Sequence, residues 1–136
     1  MQDRPDKIAL LAGVARFLAK DVAGAIVDPA TRFRVKIAAH LVATVARESA
    51  SEDQVSSQLL PILTAMGWLD DAELPSTAAG RADRIRDGEA ALARAIRAGD
   101  LDDAALEGAT RYIKAALAAK LRVSNPRFSL DPDIEA

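Results

Sequence analysis

Apolar residues recur along this chain at spacings of three and four, the period of a helix that buries one side. The first run begins after Asp3-Arg4-Pro5, with Pro near the first turn, and reaches about Val22. Its stripe is Ile8, Leu11, Ala15, Leu18 and Val22, and Leu10, Val14 and Phe17 widen it. A stripe that wide predicts contact with two neighbours rather than one. Gly24 and Asp28-Pro29 then mark a break, with Asp28 the N-cap and Pro29 the first residue of a second helix to about Ser49. That helix carries the stripe Ile37, Ala38, Leu41, Val42 and Val45.

Ser49-Ala50-Ser51-Glu52 spells S-x-x-E, a capping box, and predicts the start of a third helix. Val55, Leu59, Ile62, Leu63 and Met66 carry it to Gly67, with a kink expected at Pro61. Trp68 and Leu69 are expected to fold back onto the bundle. Residues 70–80 read as a loop, after which Ser76 or Thr77 caps a fourth helix ending at Gly99. Ala82, Ile85, Leu92 and Ile96 form its stripe, and Gly88 is a point of interruption. Asp102 caps a fifth helix, expected to bury Leu106, Ala109, Ile113, Leu117 and Leu121 before Asn125-Pro126 ends it. With no alternating run and no repeat, the chain reads as all-α, an antiparallel helical bundle of about five helices. Residues 1–130 form one domain and 131–136 a frayed tail.

Composition strengthens the helical reading and narrows the chemistry. Alanine is 30 of the 136 residues, and it is the best helix former. Hydrophobic residues at 50% and charged residues at 28% argue against wholesale disorder. No Cys means no disulfide or iron–sulfur cluster, and one His leaves a His-based zinc site without its ligands. A net charge of −2 is unlike a general nucleic-acid binder. There is no G-x-G phosphate loop, no Glu-x-x-His and no nucleophile elbow, and the five aromatics are scattered. No apolar stretch approaches the ~20 residues of a membrane span, and the N-terminus lacks the pattern of a signal peptide. The expectation is a cytoplasmic protein with no cofactor, no metal, no nucleic acid and no membrane partner.

The informative positions are charges inside apolar arcs. Arg34 projects between Ile37 and Leu41, Lys120 between Ile113 and Ala116, and Asp21 lies beside Phe17 and Val14. If five helices alternate up and down, Asp21, Arg34, Lys120, Asn125 and Arg127 share one end of the bundle. Arg34 and Lys120 then either snorkel or pair with Asp21, or they leave positive charge for an anion or an acidic partner side chain. Residues 108–130 add Arg111, Lys114 and Arg122 and contain no acid. Arg34 and His40 also spell R-x5-H, which resembles the motif of helical ribonucleases of toxin and defence systems. The two point ~120° apart on one helix.

Three segments together carry a broader resemblance. They are Gln2-Asp3-Arg4-Pro5 with the helix to Phe17-Leu18, Arg34-Val35 running to Val45-Ala46-Arg47-Glu48, and Lys120-Leu121-Arg122-Val123-Ser124-Asn125-Pro126-Arg127-Phe128-Ser129. Ala93-Arg94-Ala95-Ile96-Arg97-Ala98-Gly99-Asp100-Leu101 also fits. The chain thus resembles a small bacterial helical domain family of unknown function. Its members are encoded beside, or fused to, kinases of the aminoglycoside-phosphotransferase type, and beside acyl-CoA dehydrogenases. His40 stands where a small polar residue is expected. The resemblance implies a non-enzymatic accessory subunit of such a kinase in acyl-CoA or hydroxy-acid catabolism. Two alternatives stand beside it: the R-x5-H ribonuclease, and a bundle that binds a small anionic or acyl ligand. The oligomeric state is left open.

Overall fold

Helix starts and stops fall where short-range chemistry puts them. The computed structural model describes residues 5–70 and 72–129. It holds four helices and, among the described residues, no strand. Helix α1, Lys7–Phe17, continues through a π-helical stretch, Leu18–Val22, into a last turn, Ala23–Ala25. Helix α2 is Pro29–Ala65, α3 is Ala78–Ala98 and α4 is Asp103–Ser124. The tail expected at 131–136 lies outside the described residues.

The caps are side-chain oxygens that accept from orphan backbone N–H groups. Asp6 accepts from the Ala9 amide at 2.8 Å, Asp28 from Thr31 at 2.8 Å, Thr77 from Gly80 at 3.1 Å and Asp102 from Ala105 at 2.8 Å. The Thr31 hydroxyl also donates to Asp28, and these bonds hold that carboxyl below its ordinary value. Gly67 and Gly99, each at φ +74°, turn the chain out of α2 and α3 in the left-handed region that other residues avoid.

One expected boundary does not exist. Ser49 caps nothing, and α2 runs unbroken from Pro29 to Ala65, through Pro61. An N-cap needs extended backbone, and no Gly or Pro interrupts the chain near residue 49 to supply it. The hydroxyls bond backward inside the helix instead. Thr44 donates to the His40 carbonyl at 2.9 Å, Ser51 to Arg47 at 3.0 Å and Ser56 to Glu52 at 2.9 Å. Two expected helices are therefore one, and the described residues hold four helices where about five are expected.

The described residues form two compact units that part between Ser51 and Glu52, within α2. In the second unit, Leu59, Leu60 and Leu63 of α2 pack with Leu69, Leu92 of α3, and Ala109, Tyr112 and Ala116 of α4. Gly88 interrupts nothing: a Cβ there would stand 3.0 Å from Leu63 and 3.1 Å from Leu69, so its bareness lets α3 approach the leucines. At the margin, Arg81 pairs with Asp53 and Arg84 with Asp70. In the first unit the buried apolar residues are Ala15, Ala23, Ala39 and Ala46, all alanine.

The core faces differ from those expected in the first half of α2 and in α4, whereas Val55, Leu59, Ile62, Leu63 and Met66 form the expected core side of the second half of α2. In α4 the buried residues are Ala109, Tyr112, Ala116, Ala118 and Ala119, whereas Leu106, Ile113 and Leu117 are about half exposed. In the first half of α2 the exposed large apolar residues are Phe33, Ile37, Leu41 and Val45. Helices that meet closely do so through small side chains, so the contact follows alanine rather than the bulkiest stripe.

Tyr112 supplies a pH test. Burial, reinforced by its hydrogen bond to Glu89 and the nearby carboxylate, pushes its hydroxyl well above the usual tyrosine value. The folded chain holds that proton more tightly than the unfolded one, so stability is intact below about pH 10 and falls as pH rises beyond it. Since the chain has one tyrosine, phenolate absorbance should appear together with loss of helical circular dichroism. Phenolate formation at pH 10 with full helicity would contradict this.

Candidate functional site

Two alanine ladders build the site. Helix α1 with the π-helical stretch after it offers Ala12, Ala15 and Ala19, and α2 offers Ala39, Ala43, Ala46 and Ala50, each at spacings of three and four. Methyl groups let two backbones come close, and the three-residue connection 26–28 turns α2 back along α1. With Ile8, these alanines floor an open groove of about 580 Å³. Arg16, Lys36, His40 and Arg47 complete its lining, which holds no Asp or Glu. Arg47 is steadied by donating to the Thr44 hydroxyl at 3.0 Å. Among the described residues Arg16 and Lys36 make no ion pair.

This lining suits binding. A methyl floor takes an apolar surface, and the cationic margin takes carboxylates or phosphates beside it. His40 is the one imidazole in the lining, and no carboxylate lines the groove to orient it. Among the described residues no group of three or more His, Asp or Glu is placed to hold a metal ion.

A second groove, of about 310 Å³, lies in the second unit between α3 and α4. Ile96, Ile113, Leu117 and Ala116 give it an apolar surface, with Glu89 and Lys120 in its lining. The Tyr112 hydroxyl donates to Glu89 at 2.9 Å and fixes that carboxylate. Lys120 thus does lie among Ile113, Ala116 and Leu117, as its position in the apolar arc of α4 suggests.

The other expected site residues are distributed as follows. Asp21 is exposed on the π-helical stretch and Arg34 is exposed on α2, both in the first unit. No ion pair joins them among the described residues. Lys120, Asn125 and Arg127 are exposed in the second unit, where Asn125 ends α4. The alternation that assigned all five to one end counted a reversal near residue 49, and α2 has none. His40 lines the first groove and Arg34 does not, so the R-x5-H residues occupy different faces of α2. Arg16 and Lys36 escape a search for charges in apolar stripes because they flank alanines.

The fold and grooves define a small all-helical protein built around helix–helix contacts. The chain belongs to the family DUF6285, a domain of unknown function, which it matches over residues 25–128. That span covers α2, α3 and α4 and leaves out the α1 wall of the first groove. No curated protein and no solved structure matches the chain.

Proposed function

We propose that this chain is a non-enzymatic accessory subunit of an aminoglycoside-phosphotransferase-like kinase in acyl-CoA or hydroxy-acid catabolism. The groove between α1 and α2 grips an amphipathic, acid-flanked helix of the kinase. The observation that carries the binding role is that, among the described residues of the first unit, only alanines are fully buried, and they leave a methyl-floored, cation-lined groove open. Along α1 and into the π-helical stretch the groove runs from Ile8 to Ala19, about 17 Å, enough for three turns of a docked helix. Support for a kinase as the partner comes from the segments that resemble the kinase-associated family. An acyl or anionic small molecule is the second reading, favoured by the same floor and margin.

Co-expression with such a kinase from the same genome should give a co-eluting complex with raised activity on a hydroxyacyl-CoA. Separate elution at micromolar concentrations, with kinase activity indifferent to the added chain, would end this reading. Thermal stabilisation by an acyl-CoA without any kinase would favour the small-molecule reading. RNA degradation abolished by His40→Ala would put the ribonuclease in its place.

A further inference from the structure

The side of α2 away from the groove carries a pattern that is complementary to itself. Arg34, Ile37, Leu41, Val45 and Glu48 fall within an arc of ~80°, centred ~160° from the groove-lining alanines. Ile37 is 44% exposed, Leu41 59% and Val45 47%. Arg34 and Glu48 are exposed, and neither makes an ion pair among the described residues. The face therefore reads positive, three apolar residues, negative, over about 21 Å of helix.

We propose that two copies of the chain associate through this face, antiparallel, about a two-fold axis at Leu41. Setting Leu41 against its symmetry mate sets Ile37 against the partner's Val45 and Arg34 against the partner's Glu48. The same register places the short Ala38 opposite Thr44, so the helices meet without a bulky clash. No like charges face each other at any position in this register. A parallel pairing would instead set Arg34 on Arg34 and Glu48 on Glu48, so the charges select the antiparallel arrangement. Such an interface is isologous, and each ion pair occurs twice. One helix face of this length buries area at the low end of specific interfaces, which gives a reversible, concentration-dependent dimer. The surface is distinct from the proposed kinase groove, so the two can fail independently.

Sedimentation equilibrium of the full chain tests the proposal. The expected mass rises from the monomer's 14.4 kDa toward twice that value as concentration passes through tens of micromolar. Arg34→Glu alone and Glu48→Arg alone each replace two attractive pairs by two repulsive ones and should weaken association at least ~10-fold. The double variant R34E/E48R restores the pattern with signs exchanged and should return to within ~3-fold of the parent. Circular dichroism should stay unchanged in all three, since both side chains are exposed. A monomer at several hundred micromolar would overturn the proposal. So would a dimer indifferent to the single reversals, or one not restored by the double exchange.

Discussion

Leu63→Ala should lower the stability of the second unit by roughly 2–5 kcal/mol. Leu63 is 0% exposed and sits among Leu59, Leu60, Leu69, Leu92 and Tyr112. It also stands against Gly88, which has no side chain to move into the space left behind. The loss therefore combines the transfer free energy of the removed carbons with a cavity that the helices close only partly. Urea denaturation followed by the fluorescence of Trp68, the one tryptophan, reports on this core because Trp68 packs against it. The midpoint should fall with little change in slope. Leu106→Ala is the comparison: it removes the same atoms from a side chain that is 54% exposed, and should cost under about 1 kcal/mol. Equal costs would mean that alanine does not mark the contact face of α4.

Reversing two charges in the first groove should have the largest effect on association. The variant R16E/K36E leaves the alanine floor intact and turns two cations of its margin into anions. Against an acid-flanked helix, two reversals should weaken the proposed kinase complex roughly 30- to 100-fold, mostly through slower association. The parent complex should weaken as NaCl is raised, and that salt dependence should shrink in the variant. Titration calorimetry at low and high salt measures both. An unchanged affinity would remove the groove from the interface while leaving the accessory role to be sought on another face.

How much of this was legible follows from the range of each interaction. Asp28, Thr77 and Asp102 act on amides three residues away, and Gly67 and Gly99 on their own φ, so the sequence around each reveals its role. Ser49 shows the limit of that logic: the capping-box letters are present, but no neighbouring residue forces the backbone out of the helix. Period and spacing reveal the helices, and the stripe Val55, Leu59, Ile62, Leu63 and Met66 is the core side of the second half of α2, but the stripe of bulkiest residues does not mark the buried side of the first half of α2 or of α4. Leu and Ile drive burial by area, whereas close helix contact selects methyl-sized side chains, and in the first unit the second effect prevailed. A usable signal was present in the ladders Ala12-Ala15-Ala19 and Ala39-Ala43-Ala46-Ala50 with cations beside them. Arg16 and Lys36 become site residues only once those ladders are recognised as groove walls. Lys120 is placed among Ile113, Ala116 and Leu117 by sequence because it interrupts an apolar arc directly.

Hydrogen exchange of the chain, alone and with the kinase, shows whether the groove between α1 and α2 holds the proposed partner. Slowed exchange is expected at backbone amides of α1 and of α2 from Lys36 to Ala50, with α3 and α4 little changed. A complex that protects α3 and α4 and leaves the α1–α2 groove unprotected, or no protection at saturating kinase, would contradict it.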